Sequence, residues 1–175
     1  MFNSKEQLLN KIQECRSVFE AKNNPQSARK EINICGGTGC MSAHSQEIKE
    51  KFEKLIRDAG VEDRVSVNFV GCFGFCSQGP FVKILPSHTL YRLVKVGDVE
   101  EIFEKDILRN EIVDHLLYID PNTNQKVVKQ DEIPFYQKQV RIALNGCGVL
   151  NPENIDESFA FEAYQGLANA LSMDR

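Results

Sequence analysis

The sequence predicts an α/β fold, and three observations lead to that prediction. The chain has 175 residues, of which 42% are hydrophobic, so it can bury one domain core with an extension. Apolar residues recur with helical and strand periods in alternating segments. Four of the six cysteines form two pairs, Cys35 with Cys40 and Cys72 with Cys76, and each pair lies in a glycine-rich loop after a predicted strand.

Four elements are predicted around these loops. Residues 4–22 form a helix with one apolar face, and residues 31–34 form a short strand that leads into the first pair. Residues 41–59 form a strong helix, so Cys40 lies at a helix N-terminus, where unpaired amides favour negative charge. Residues 65–69 alternate as a strand that leads into the second pair.

The next elements complete the predicted fold. Residues 81–85 and 90–96 form a hairpin, and Asp98 caps a helix whose stripe includes Val99 and Ile102. An inner β-α-β unit followed by β-β-α is the order of a thioredoxin-like fold. Beyond it, residues 139–144 alternate weakly as a strand.

Composition and charge exclude some classes of function and predict a cellular location. A net charge of −4 gives no support for binding nucleic-acid phosphates. There is no apolar run of about 18 residues and no secretory leader, so we expect neither a membrane span nor export. Grouped cysteines in such a chain are typical of metal ligands in a reducing compartment, which predicts a cytoplasmic location.

Spacing alone leaves three chemistries open for the four thiols. A 2Fe–2S cluster takes two thiolates per iron, and neighbouring glycines let amides approach the sulfurs. A structural zinc ion, stapling an interaction module without redox activity, is also compatible with spacings of four and three residues. A thiol–disulfide oxidoreductase fits least well, because those enzymes use two cysteines separated by two residues.

The remaining cysteines and the histidines are predicted to be outside the site. Cys15 lies on the apolar face of the first helix and is interpreted as a buried small side chain. Cys147 lies in a predicted turn and is not needed once four thiols are present. His44, His88 and His115 are not assigned as ligands.

Two motifs resemble a known family. ICGGTGC at residues 34–40 and VGCFGFCSQGP at residues 70–80 are similar to the thioredoxin-like 2Fe–2S ferredoxins, which include the small 2Fe–2S subunit of respiratory complex I. The resemblance covers about residues 31–108. It implies a 2Fe–2S cluster and, as its ligands, Cys35, Cys40, Cys72 and Cys76.

The C-terminal part resembles a second family. PFYQKQ at 134–139, LNGCG at 144–148 and NPENI at 151–155 look like the start of the flavin-containing, NADH-oxidising subunit. Together, the two resemblances imply the β subunit of multimeric, often electron-bifurcating, iron-only hydrogenases, or a related formate dehydrogenase. The glycine-rich flavin and NADH segment does not follow, so we expect this chain to bind neither and not to be catalytic alone.

These interpretations predict a domain organisation and partners. Residues 1–28 are the N-terminal helix, 29–118 the thioredoxin-like 2Fe–2S domain, 119–133 a linker and 134–175 the truncated opening of a flavoprotein domain. The expected partners are other subunits of a multi-subunit oxidoreductase, with homo-oligomerisation as a second option.

Overall fold

The computed structural model describes residues 4–22, 24, 26–170 and 172–173. The helices are α1 (Lys5–Lys22), α2 (Thr38–Ser42), α3 (Ser45–Ala59), α4 (Val99–Ile102), α5 (Pro134–Gln137), α6 (Ile155–Ala160) and α7 (Gln165–Ala170). The strands are β1 (Lys30–Cys35), β2 (Val65–Val70), β3 (Val82–Leu85), β4 (Thr89–Tyr91), β5 (Tyr118–Ile119) and β6 (Lys126–Val127). No helix within the described ranges is long and apolar enough to span a membrane.

The central sheet has four strands in the order β2-β1-β3-β4. β1 and β2 are parallel, whereas β3 is antiparallel to both β1 and β4. The connection from β1 to β2 runs through α2 and α3, because parallel neighbours require a crossover. This β-α-β-β-β-α order confirms the α/β, thioredoxin-like prediction.

The main core lies between one face of this sheet and the helices α3 and α4. Alternation along β1 and β3 directs Ile32, Ile34 and Ile84 to this face, where they are fully buried. Phe52 and Ile48 of α3 pack against them and are also fully buried. Burial of this apolar face positions the carboxyl ends of β1 and β2, from which both cysteine loops begin.

The predicted long helix over residues 41–59 is wrong at its start. The chain forms the short α2 first, and His44 then adopts a left-handed backbone with φ of 72° before α3 begins at Ser45. The helical period continues through this turn in the sequence, so periodicity did not reveal the break. Cys40 therefore lies inside α2 and not at the start of α3, and Met41 beside it is 37% exposed.

Two predicted strands are also shorter than expected or absent. The second hairpin strand ends at Tyr91 rather than at residue 96, since the chain turns at Leu93, where φ is 50°. Residues 139–144 form no regular strand, and Val140 and Ile142 are 90% and 83% exposed. No neighbouring strand pairs with residues 139–144 in the described part of the chain, so alternation alone did not produce sheet structure there.

The segment predicted as a linker contacts the sheet. β6 pairs with β5, and the amide of Leu90 donates to the carbonyl of Val128 at 2.9 Å. Thr89 and Lys129 form an isolated antiparallel bridge. These bonds place α5 beside the second cysteine loop.

The N-terminal helix packs against the C-terminal helices. Leu8, Ile12 and Cys15 of α1 are buried in a cluster with Phe159 and Ala160 of α6. Lys22 forms ion pairs with Glu157 of α6 at 2.5 Å and with Glu31 of β1 at 3.2 Å. The apolar face of the first helix was predicted correctly, and its partner is the C-terminal segment.

A buried polar contact joins the sheet to the chain beyond α4. The Tyr91 hydroxyl donates to Oδ2 of Asp106 at 2.6 Å and accepts from the amide of Val113 at 3.2 Å. Tyr91 is fully buried and Asp106 is 4% exposed. Burial raises the pKa of Tyr91 and the pKa of Asp106, and the second carboxylate oxygen of Asp106 lies 3.6 Å from Nζ of Lys30.

We expect Tyr91→Phe to lower the free energy of unfolding by about 1–3 kcal/mol, because a buried carboxyl and a buried amide each lose a partner. Urea unfolding measures the change. Tyr118→Phe, at a half-buried tyrosine of β5, is the control and should change stability by less than about 0.5 kcal/mol. A Tyr91→Phe protein as stable as the wild type would show that the contact contributes nothing.

Candidate iron–sulfur site

The two cysteine loops begin at the same edge of the sheet. β1 ends at Cys35 and β2 ends at Val70, and these two residues are direct neighbours in the parallel ladder. The amide of Gly36 donates to the carbonyl of Val70 at 2.9 Å, which ties the start of one loop to the start of the other. Parallel pairing therefore brings together two thiol pairs that are far apart in sequence.

The first loop holds its thiols in the interior. Cys35 and Cys40 are 1% and 3% exposed. The amide of Cys35 donates to the carbonyl of Phe81 at 3.1 Å, and Cys40 is held within α2, where the amide of Met41 donates to the carbonyl of Gly37 at 2.9 Å. Backbone hydrogen bonds thus fix the main chain that carries both thiols.

The second loop is more open. Cys72 is half-buried and Cys76, at the start of a 3₁₀ turn, is exposed. Gly74 has a φ of +84°, which disfavours residues with a Cβ, and its amide donates to Sγ of Cys72 at 3.3 Å. The site therefore has a buried side at the first loop and a solvent-facing side at Cys76.

A side chain at either of two glycines would crowd the thiols. A Cβ built on Gly37 would lie 3.0 Å from Sγ of Cys72 and 3.6 Å from Sγ of Cys35, so this residue lies between thiols of both loops. A Cβ built on Gly79, which precedes a cis proline, would lie 2.6 Å from Sγ of Cys40. The glycines form a cradle around sulfur atoms, as close approach of backbone to a ligand requires.

The thiols interact with one another and with backbone amides. Hydrogen bonding between Cys35 and Cys40 lowers the pKa of Cys35 and raises the pKa of Cys40. Amides of Phe73 and Gly37 add to the lowering at Cys35, whereas burial opposes it. Burial raises the pKa of Cys72, and the amide of Gly74 acts against that effect. The thiols are thus coupled to one another, and the nearby backbone amides favour a thiolate at Cys35.

The thiols of the two loops form a chain of contacts at one edge of the sheet. Across residues 4–22, 24, 26–170 and 172–173, no three His, Cys, Asp or Glu side chains are grouped as one bound metal ion would need. The thiols instead contact in succession, Cys35 with Cys40 and with Cys72, and Cys72 with Cys76.

An aromatic group covers the site, and the sequence did not reveal it. Phe73 and Phe81 are fully buried beside Cys35 and Cys40. Phe75, between the cysteines of the second pair, stacks on Phe135 of α5 with ring centroids 4.2 Å apart and 16° between planes. The recurrence of phenylalanine in the second loop was a signal for apolar cover, but its partner lies 60 residues further along the chain.

The C-terminal segment also contacts the second loop through polar groups. The amide of Gly148 donates to the carbonyl of Gly71 at 3.0 Å, and the amide of Gly71 donates to the carbonyl of Leu150 at 3.2 Å. The guanidinium of Arg141 donates to the carbonyl of Phe73. Residues 141–150 therefore hold the backbone on both sides of Cys72.

The cysteines and histidines not assigned as ligands lie in different surroundings. Cys15 is buried in the α1–α6 cluster, whereas Cys147 is half-buried beside Gly71, with its Sγ 3.7 Å from a Cβ built there. His44 pairs with Glu47 at 2.7 Å on the surface, and His115 lies 3.7 Å from a carboxylate oxygen of Glu101.

Comparison with known proteins identifies the family. The family described as Thioredoxin-like [2Fe-2S] ferredoxin matches residues 7–106. The chain is 43% identical over 77 residues to "Ferredoxin, 2Fe-2S" of Clostridium pasteurianum, covering 44% of this chain and 76% of that protein. It is 33% identical over 79 residues to "Ferredoxin, 2Fe-2S" of Aquifex aeolicus (strain VF5), covering 45% of this chain and 71% of that protein.

Two further matches extend the comparison. The chain is 49% identical over 37 residues to "NADP-reducing hydrogenase subunit HndC" of Solidesulfovibrio fructosivorans, which is 21% of this chain and only 8% of that protein. A crystal structure of the thioredoxin-like [2Fe-2S] ferredoxin from Aquifex aeolicus matches with a TM-score of 0.46 and 29% identity, covering 50% of this chain and 94% of that one.

A thioredoxin-like sheet with paired thiols at one edge is the framework of a small iron–sulfur electron carrier. The match over residues 7–106 shows that this chain belongs to the thioredoxin-like [2Fe-2S] ferredoxin family. Its cofactor is accordingly a 2Fe–2S cluster, and the glycine cradle around the thiols fits that group.

Proposed function

We propose that this chain is a one-electron carrier whose 2Fe–2S cluster is ligated by Cys35, Cys40, Cys72 and Cys76. The observation that carries the proposal is the position of Gly37. A Cβ built on it would lie 3.0 Å from Sγ of Cys72 and 3.6 Å from Sγ of Cys35, so a thiol of each loop lies beside this one residue. The contacts within each sequence pair support one pair of thiolates per iron.

The bound cluster would supply reversible one-electron chemistry, and the protein needs only to set its potential and its exposure. The amide of Gly74 donates to a ligand sulfur, which stabilises the more negative, reduced state. Buried Phe73 and Phe81 exclude water from the side of the first loop. Exposed Cys76 marks the side from which an electron would enter or leave.

The larger context is proposed from the C-terminal motifs and from the short match to the hydrogenase subunit. We propose that residues 29–118 are the electron-transfer domain of an NAD(P)-linked flavoprotein oxidoreductase, a hydrogenase β subunit in the first instance. Residues 134–175 would open its flavoprotein part, with residues 119–133 as the connection. The partners would be other subunits of a cytoplasmic complex. The grouped cysteines support this location, because free thiols persist in a reducing compartment.

An anaerobic reductive titration tests the carrier function. We expect visible absorption bands that bleach after about one electron per chain and return on reoxidation, because a 2Fe–2S centre cycles between two states. Transfer of that electron to an added acceptor protein, such as cytochrome c, completes the test. A colourless protein with about one zinc per chain would instead support a structural, zinc-stapled interaction module.

A further inference from the structure

A separate cavity of about 500 Å³ lies beside the iron–sulfur site. One wall is the polar face of the sheet at Lys83 and the turn at His88, and the other is the C-terminal segment. The side chains that matter here are Lys83, His88, Lys129, Asp131, Tyr136 and Arg141. A volume of 300–1,000 Å³ is usual for a small-molecule site.

The charges around this cavity are unbalanced. Lys83, Lys129 and Arg141 provide three cations, whereas Asp131 is the carboxylate among the described lining residues. Lys83 is half-buried, and its Nζ donates to the amide oxygen of Gln130 at 3.3 Å. Burial lowers the pKa of Lys83, and the more distant Asp131 only partly offsets that effect. A buried cation with an uncharged partner gains more from an anion than an exposed one does.

Arg141 is held at this cavity by contact with an aromatic residue. Tyr136 lines the cavity and is 8% exposed, and its buried hydroxyl has Arg141 and the thiols of Cys35 and Cys72 as electrostatic neighbours. The guanidinium of Arg141 lies over the Tyr136 ring, 5.0 Å from its centroid. Arg141 also donates to the carbonyl of Phe73, so its charge is fixed beside the cavity and adds to those of Lys83 and Lys129.

We propose that this cavity binds an anion bearing a phosphoryl group, held by Lys83, Lys129 and Arg141. Lysine binds phosphate as a point charge, and a phosphoryl group offers several acceptor oxygens to ammonium and guanidinium donors. The cavity has room for more than one phosphate ion, so free phosphate and the phosphate of a nucleotide share this chemistry. No part of this site overlaps the four proposed ligand cysteines.

Binding here would act on the neighbouring cluster, a consequence that rests on the proposed function. Tyr136 packs in the same apolar group as Cys35 and Cys40, so an anion at Tyr136 lies close to the thiol site. Its negative charge opposes the arrival of an electron, which makes the cluster harder to reduce. By thermodynamic linkage, reduction weakens anion binding by the same factor.

Titration calorimetry of the oxidised protein tests the site, with inorganic phosphate, adenosine monophosphate and adenosine as probes in a phosphate-free buffer. We expect both phosphoryl compounds to bind, and Lys83→Gln and Lys129→Gln each to weaken binding by about tenfold or more. Lys54→Gln is the control, because Lys54 lies on the solvent-facing side of α3 and its side chain is 72% exposed. Tighter binding of the monophosphate than of phosphate indicates a nucleotide site, and equal binding indicates a phosphate site.

Three results would overturn the site: no heat with either phosphoryl compound, adenosine binding as well as its monophosphate, or unchanged affinity in both cavity variants. The redox consequence has its own measurement, the midpoint potential with and without phosphate. A threefold weaker affinity in the reduced state corresponds to a potential lower by about 28 mV. A chain without a redox-active cluster would end the proposed function and leave the calorimetric result standing, whereas phosphate binding without a potential shift would refute the coupling alone.

Discussion

Cys35→Ala protein is expected to be purified nearly colourless, with iron per chain at least about tenfold below the wild type. Cys35 is 1% exposed at the end of β1, and its thiol contacts both Cys40 and Cys72. Loss of a residue that only supports a metal ligand costs about 10–100-fold in metal affinity, so loss of a ligand should cost at least as much. Alanine is the informative choice, because a serine oxygen at this position could still coordinate iron.

Cys15→Ala is the matched control, since Cys15 is also buried but lies in the α1–α6 cluster. Its visible spectrum should be that of the wild type, and so should the spectrum of Cys147→Ser. Visible absorbance together with iron and sulfide analysis measures both effects. A coloured Cys35→Ala protein, or a colourless Cys15→Ala protein, would overturn the ligand assignment.

The second large effect is expected from a single methyl group. Gly79→Ala would place a Cβ 2.6 Å from Sγ of Cys40, closer than real Cβ contacts, so the sulfur or the backbone must move. Overpacking of this kind costs about 1–3 kcal/mol, and here the strain falls on a proposed iron ligand. We expect the variant to bind less iron per chain and to lose the cluster faster on warming.

Gly39→Ala is the control for this substitution. Gly39 lies in α2, next to Cys40, and a Cβ built on it meets no atom within 4 Å. Alanine should keep the colour and stabilise α2 slightly, by up to about 1 kcal/mol. Thermal loss of visible absorbance separates the two variants. Equal cluster retention in both would show that the space beside Cys40 is not restricted.

The spacing of apolar residues predicted those elements whose structure depends on residues close together in the sequence. The alternation of Val65, Val67 and Phe69 predicted β2, whose end lies beside the end of β1 at the start of both cysteine loops. The turn at His44 escaped prediction because it depends on one left-handed residue within a continuous helical period. No periodic signal marks such a residue when it is not glycine.

Contacts between segments that are far apart in the chain could not be predicted from local sequence patterns. The stack of Phe75 on Phe135 joins a cysteine loop to a helix that local reasoning placed in another domain. The burial of α1 against α6 depends on two amphipathic helices at opposite ends of the chain. Apolar faces predict that a helix is covered, but the covering element is selected by the tertiary packing of the whole chain.

The most direct test of the central claim is electron paramagnetic resonance of the anaerobically purified, dithionite-reduced protein, with iron, sulfide and zinc measured on the same sample. The four cysteines are expected to hold one 2Fe–2S centre, with about two irons and two sulfides per chain and a signal that appears only on reduction. The same sample of Cys35→Ala should lack that signal. A silent, colourless wild-type protein with about one zinc per chain and no iron would contradict the account.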